Sequence, residues 1–289
     1  MAKPKILIQL DTDQQPSTFD AVVAVDAGVD HLFQYGGVTP ENVTGLVHGA
    51  MFTRGPADLH QTAIFIGGSS VESGERLLER VRKCFFGPVR VSVLFDANGA
   101  NTTAAAAVLA AAKHLPLEGA TATVLAGTGP VGQRAARLLA GRGAQVRVAS
   151  RSLQKAEAVC NAIRGRQSAA KLTPVQTSNT EETAAALSGA SLVIAAGAAG
   201  VELLSVEVRR NSPQLKVAID LNAVPPVGIT GIQPQDKAVD RDGTFCYGAL
   251  GVGGTKMKIH RAAIERLFTS NDRVLDAEEV LALGDSLGK

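Results

Sequence analysis

One short turn carries the residue types that phosphate recognition needs: Gly127, Thr128, Gly129, Pro130, Val131 and Gly132, within ATATVLAGTGPVGQRAARLLAGRGAQVRVASRSLQK at residues 120–155. The spacing is G-x-G-x-x-G. Gly127 permits a tight turn, Gly129 lets backbone approach a pyrophosphate, and Gly132 lets a helix pack on a strand. The pyrophosphate would rest on backbone N–H groups at a helix start, where the dipole favours an anion. The second strand of the unit ends at Ser150, Arg151 and Ser152, with Lys155 close behind. An NAD site places Asp or Glu there for the ribose 2′-hydroxyl, whereas two cations and two hydroxyls suit a 2′-phosphate. These residues predict NADP as cofactor; the alternative reading is a solvated basic loop.

Other chemistry is poorly represented. The five histidines, His31, His48, His60, His114 and His260, form no HxxxH or HExxH, so no metal site is expected. No GxSxG elbow or Cys/His signature supports nucleophilic hydrolysis. Lys256 and His260 are four residues apart on one helical face, either as a proton relay or as a surface cation pair.

These groups need elements to hold them. Apolar β-rich runs at Ile6–Leu10, His31–Tyr35, Thr62–Ile66 and Val89–Phe95 alternate with helical segments. Those segments open near Pro16-Ser17, are capped at Thr39-Pro40-Glu41, and run from Ser73 to Phe86 and from Asn101 to Lys113. Such alternation predicts βαβ units and a parallel sheet. Further strands are expected at Ala120–Ala126, Val146–Ala149, Lys171–Gln176, Ser191–Ala196, Lys216–Leu221 and around Phe245–Leu250, with closing helices at Lys256–Phe268 and Asp276–Leu287. The fold class is therefore α/β with two domains, an N-terminal parallel α/β domain and a C-terminal Rossmann domain with a cleft between. The expected boundaries are 1–117, completed by a C-terminal helix at about 270–289, and 118–269.

In open parallel sheets ligands gather beyond the carboxyl ends of strands. Those ends nominate Asp11, Asp13, Tyr35, Gly67-Gly68 and the run Asp96 to Thr103, which includes Asn98, Thr102 and Thr103. In the second domain they nominate Ala196 to Gly200, Asn222 and the glycine-rich run Gly251–Gly254 leading to Lys256. Asn98-Gly99 also reads as a turn and Asn101-Thr102 as a helix cap. Gly251–Gly254 reads either as a flexible loop or as backbone that approaches a nicotinamide.

Composition narrows the classes. The 289 residues are 45% hydrophobic and 19% charged, with a net charge of +2, so no charge field favours nucleic acid or an anionic membrane. Aromatic residues are only 4%, which leaves little stacking surface for single strands. Cys84, Cys160 and Cys246 are odd in number and widely spaced, which excludes a disulfide framework and suits a reducing cytoplasm. No signal peptide or membrane span is expected.

The chain resembles the NADP-dependent methylene-tetrahydromethanopterin and methylene-tetrahydrofolate dehydrogenases of methylotrophic bacteria and their relatives. The resemblance runs through Asp11-Thr12-Asp13, Phe19-Asp20, Tyr35-Gly36, Val38-Thr39-Pro40, Phe52-Thr53-Arg54, Phe86-Gly87-Pro88 and Asn98-Gly99 with Asn101-Thr102-Thr103. It continues through Leu125 to Gly132, Asn222-Ala223, Pro225-Pro226, Gly248 to Gly251, and Lys256 with Lys258-Ile259-His260-Arg261.

That resemblance implies a hydride moving from the methylene carbon of a tetrahydropterin one-carbon carrier to the nicotinamide, leaving a methenyl cation. No proton changes place, so positioning and electrostatics matter more than an acid–base pair. It further implies Lys256 as the catalytic lysine, its charge offset by Asp20, and Asp20, Asn98, Thr102 and Thr103 as carrier contacts. Ala196 and Asn222 join the cofactor set. The expected carrier is tetrahydromethanopterin, with tetrahydrofolate the alternative, and the expected assembly is a homo-oligomer, a trimer or hexamer by resemblance.

A shikimate dehydrogenase-type reductase is the enzyme rival. Asn42-Val43-Thr44 echoes a motif there, but Gly45-Leu46-Val47 follows without that family's proton-transfer lysine. A non-catalytic NADP sensor is the rival of another class.

Overall fold

The computed structural model describes residues 3–288. The chain divides into two compact units: residues up to Thr102 with those from Met257 onward, and residues Thr103–Lys256.

The first unit opens with β1 (Ile6–Asp11), α1 (Thr18–Asp26), β2 (His31–Tyr35), α2 (Thr44–Phe52), β3 (Thr62–Gly67), α3 (Val71–Lys83) and β4 (Ser92–Phe95). Next, α4 (Ala100–Ala112) leads into the second unit: β5 (Thr121–Leu125), α5 (Pro130–Gly141), β6 (Gln145–Ser150), α6 (Leu153–Arg166), β7 (Lys171–Gln176), α7 (Thr180–Leu187), β8 (Leu192–Ala195), α8 (Val206–Arg210), β9 (Val217–Asp220), β10 (Lys237–Arg241) and β11 (Thr244–Tyr247). The chain returns through α9 (Ala249–Leu267) to β12 (Val274–Leu275) and α10 (Ala277–Leu287).

The first unit's sheet has the order β12-β4-β3-β1-β2, every pair parallel. Its central strand β3, TAIFIG, is buried along its whole length. Parallel strands covered on both faces read as continuous apolar runs for that reason. Helix α3 buries Val71, Leu77, Leu78 and Val81 on one stripe and starts at Ser70, whose hydroxyl accepts the Ser73 N–H at 3.2 Å.

The second unit's sheet has the order β10-β11-β9-β8-β5-β6-β7, parallel except for the β10–β11 pair. The chain winds from β5 outward to β7, then crosses back to β8 beside β5. This reversal is the switch point at which doubly wound sheets open a crevice. At one edge, β10 is bulged, with a register shift between Lys237 and Val239 and a left-handed Ala238 (φ 56°). At the other edge, β7 carries Pro174 opposite Val148.

Several expectations change. The units divide at Thr102/Thr103 and Lys256/Met257, inside α4 and α9. Both helices are continuous, so no composition break marks the division. Helix α2 starts at Thr44, later than Thr39-Pro40-Glu41, because Asn42 ties a separate turn: its carboxamide accepts the Thr39 N–H at 2.8 Å and donates to the Gly37 carbonyl at 3.1 Å. Gly251–Gly254 is not a loop but the first turns of α9. Gly251 allows close packing, since a Cβ there would overlap the Asp236 carbonyl, as one on the preceding Gly248 would overlap the Gln233 carbonyl.

Candidate functional site

In the second unit the glycine turn is shaped by contact distances. A Cβ on Gly127 would lie 2.9 Å from both the Val124 carbonyl oxygen and Val148 Cγ1, and one on Gly132 would lie 2.7 Å from the Ala126 carbonyl oxygen. Both positions accept only glycine without backbone movement. Ala126 is held left-handed (φ 52°), and the Gly127 N–H donates to the Ala149 carbonyl at 2.8 Å. Gly129 precedes α5 in an extended conformation, Pro130 occupies the first turn, and no side chain caps that helix start. Its leading N–H groups, from Val131 onward, are therefore directed to whatever anion the turn receives.

A cavity of about 580 Å³ adjoins this turn, with Thr128, Ser150, Arg151, Lys155, Asn179 and Leu203 among its lining residues. That volume suits a small-molecule ligand. The buried Ser150 hydroxyl lies 3.4 Å from that of Thr128 and accepts the Ser152 N–H at 3.2 Å; the Ser152 hydroxyl in turn accepts the Lys155 N–H at 3.4 Å and caps α6. The Ser178 hydroxyl donates to the Arg151 carbonyl at 3.1 Å and holds that loop to the β7–α7 turn. Arg151 and Lys155 are exposed, and their cationic heads bond to no group among the described residues. Two uncompensated cations beside a hydroxyl pair fit a phosphate monoester, and the glycine turn fits a pyrophosphate. The residues present thus fit a phosphorylated dinucleotide.

Ala196 follows β8 and donates its N–H to the Leu125 carbonyl at 3.1 Å; its own carbonyl oxygen would lie 3.6 Å from a Cβ on Gly129. Asn222 lies just after β9. It is buried, its carboxamide accepts the Val224 N–H at 2.9 Å and donates to the Pro226 carbonyl at 3.2 Å. Its side chain shapes its own loop. Asp220 anchors the same loop, accepting the N–H groups of Asn222 at 3.0 Å and Ile229 at 2.8 Å. Burial pushes the Asp220 carboxyl above its ordinary range, although these backbone donors pull the other way.

In the first unit, the carboxyl ends of β1, β3 and β4 meet. The Asp11 carboxylate accepts the N–H groups of Asp13 at 2.9 Å and Ser17 at 3.0 Å, and Asp13 accepts both the N–H and hydroxyl of Ser69 at 2.9 Å. Ser17 caps α1 by accepting the Asp20 N–H at 3.2 Å, which sets Asp20 in the first turn. Asn98 is exposed and left-handed (φ 56°), its N–H donating to the Gly68 carbonyl at 2.6 Å. Thr102 is fully buried, and its hydroxyl donates to the Asp96 carboxylate at 2.6 Å, which fastens the start of α4. Thr103, which follows it, is half-buried.

Lys256 is half-buried on α9, and His260, one turn on, is fully buried. That burial overturns the surface cation pair considered for them. The His260 imidazole stacks on Phe65 with ring centroids 5.7 Å apart, and its Nε2 lies 3.9 Å from Asp20 Oδ1. Spacing alone did not reveal this pairing, although Ile259, Ala263 and Ile264 around His260 signal a buried face. Among the described residues, no group of three or more His, Cys, Asp or Glu side chains is placed to hold a metal ion.

A family model described as methylene-tetrahydromethanopterin dehydrogenase, N-terminal, matches residues 18–98. The chain is 46% identical over 285 residues to a protein of Methylorubrum extorquens named bifunctional protein MdtA, covering 98% of this chain and 99% of that protein. It is 33% identical over 287 residues to the NAD(P)-dependent methylenetetrahydromethanopterin dehydrogenase of the same organism, covering 96% and 94%. Among solved structures it resembles quinate dehydrogenase from Corynebacterium glutamicum in complex with NAD, at 15% identity, TM-score 0.51, and coverage of 98% and 99%. It also resembles 5-ketofructose reductase of Gluconobacter sp. strain CHM43, at 14% identity, TM-score 0.51, and coverage of 99% of each chain. These two likenesses concern the fold.

Proposed function

Because this chain belongs to the methylenetetrahydromethanopterin dehydrogenase family, we propose that it oxidises methylene-tetrahydromethanopterin to the methenyl form with NADP as acceptor. The observation that carries the cofactor assignment is the pair of exposed cations, Arg151 and Lys155, on the cavity beside the glycine turn. The carrier assignment rests on near full-length similarity to the dehydrogenase of M. extorquens.

When bound, the nicotinamide supplies the hydride acceptor. The chain supplies position and field. Gly129 and the uncapped start of α5 seat the pyrophosphate, while Arg151 and Lys155, with Ser150 and Thr128, hold the 2′-phosphate. Asp220 and Asn222 keep the loop after β9 in shape. In the first unit, Asp20 and Asn98 contact the carrier, and the Asp20 carboxylate stabilises the cation that develops there. Lys256 donates a hydrogen bond to carrier or cofactor.

The reading extends to a homo-oligomer in the cytoplasm. Exposed Phe52 and Phe86, with ring centroids 5.8 Å apart, support subunit contact, and no described helix is long and apolar enough to cross a membrane. Sedimentation of purified protein tests the assembly.

The decisive assay mixes protein, NADP and methylene-tetrahydromethanopterin and follows NADPH and methenyl absorbance. Parallel arms contain methylene-tetrahydrofolate or shikimate. Faster turnover of the folate carrier would reassign the substrate, and turnover of shikimate alone would overturn the reading. Binding of NADP without turnover of any substrate would leave a sensor.

A further inference from the structure

His260 is where a core would ordinarily place an apolar residue. The side chain is 0% exposed, and its ring stacks on Phe65 at 5.7 Å with an interplanar angle of 23°. Phe19 lies 6.3 Å away by ring centroids, tilted by 34°. Leu or Phe would fill this space without the cost of burying a polar ring. The imidazole gains from its position relative to Asp20, whose Oδ1 lies 3.9 Å from Nε2. That separation is an electrostatic contact rather than a hydrogen bond. Stacking fixes the ring, so the charge or dipole it presents to the carboxylate is fixed as well.

Asp20 is placed to use this. Its backbone N–H is held by Ser17, whose own N–H is held by Asp11 at the end of β1. Its side chain keeps 13% exposure, and Oδ2 would lie 3.7 Å from a Cβ on Gly67, so the residue beside it adds no bulk. The carboxylate thus has an anchored backbone, a buried imidazole near one oxygen, and a small opening.

We propose that His260 is a positioning residue that holds the Asp20 carboxylate in the orientation in which it meets the one-carbon carrier. The inference rests on the proposed dehydrogenase reading and adds a residue that touches neither carrier nor cofactor. His260 acts through Asp20. Removing the imidazole therefore weakens carrier use only while Asp20 is a carboxylate.

The test compares wild type, H260L, H260Q, D20N and D20N/H260L in steady-state kinetics and urea denaturation. H260L is expected to raise the carrier KM about tenfold, equivalent to about 1.4 kcal/mol, and to leave the NADP KM unchanged. H260Q, which keeps an N–H donor near Nε2, is expected to restore most of that loss. In D20N/H260L the carrier KM is expected to match that of D20N alone, because the shared interaction is already gone. Should H260L not fold, H260N replaces it, since its amide is withdrawn from Asp20. A carrier KM within twofold of wild type, or single effects that multiply in the double variant, would overturn the proposal. So would coupling seen in urea denaturation but not in carrier KM, which is the mark of a merely structural pair. Wild type that neither turns over nor binds the carrier removes both readings; wild-type turnover with independent single effects removes this one alone.

Discussion

The Asp220 carboxylate accepts the Ile229 N–H at 2.8 Å through Oδ2, while Oδ1 accepts the Asn222 N–H at 3.0 Å. One buried side chain thereby closes both ends of the loop that follows β9. Burial raises its carboxyl above the ordinary aspartate value. A carboxyl that binds its proton more tightly folded than unfolded stabilises the fold below its ordinary pKa and loses that contribution as pH rises through the folded value. D220N is expected to lose more stability than wild type on acidification, because the contribution gained there is gone, and to raise the NADP KM, since an amide has one acceptor oxygen for two N–H groups. Urea midpoints across the acid range, with the kinetics, check both.

The cofactor assignment predicts a selective loss. Each of R151A and K155A is expected to raise the NADP KM about tenfold, the scale of a lost charge-assisted hydrogen bond, with the NAD KM unchanged. Steady-state kinetics with both dinucleotides decide; equal loss for the two would place the 2′-phosphate elsewhere.

T102V separates fastening from binding. It deprives the buried Asp96 carboxylate of a donor at 2.6 Å, at a cost of about 1–3 kcal/mol in unfolding free energy. The carrier KM of the folded variant is expected to stay at the wild-type value.

The start of α9 predicts opposite signs for neighbouring glycines. G251A drives a methyl group into the Asp236 carbonyl and is expected to cost about 1–3 kcal/mol or more. G253A meets no atom within 4 Å and is expected to gain about 0.5–1 kcal/mol from helix formation. A flexible loop would give two small effects of like sign in denaturation.

His114 links stability to pH in the opposite sense from Asp220. Its Nε2 lies 2.7 Å from the Tyr247 hydroxyl and its ring stacks on Phe245 at 4.2 Å. Burial first, and Lys113 second, hold its pKa below the ordinary imidazole value. Its contribution is present above the ordinary imidazole value and is lost as pH falls through the lower folded one. H114Q is expected to lose less stability than wild type over that acidification, as read from urea midpoints.

Much of this was legible from residue order. β2 and β7 fall at His31–Tyr35 and Lys171–Gln176 as expected, because short runs rich in aromatic or β-branched residues encode local geometry. The glycine fingerprint, flanked by strand and helix, located the turn for the same reason. Gly251–Gly254 misled, since glycine for flexibility and glycine for close approach look alike until Asp236 is seen above the helix. β10 is a charged edge strand and β12 only two residues long, so neither carries a hydrophobic pattern. Thr102 and His260 depended on partners distant in sequence. Composition identified them as able to cap or to titrate but could not say what they face.

The two margins of the seven-stranded sheet bear on behaviour at high concentration. A regular exposed strand is a template for another chain. Here one margin is kinked at Ala238 and studded with Lys237, Asp240 and Arg241, and the other is interrupted by Pro174, which has no N–H to offer. Both borders therefore carry features that oppose in-register pairing with a foreign strand.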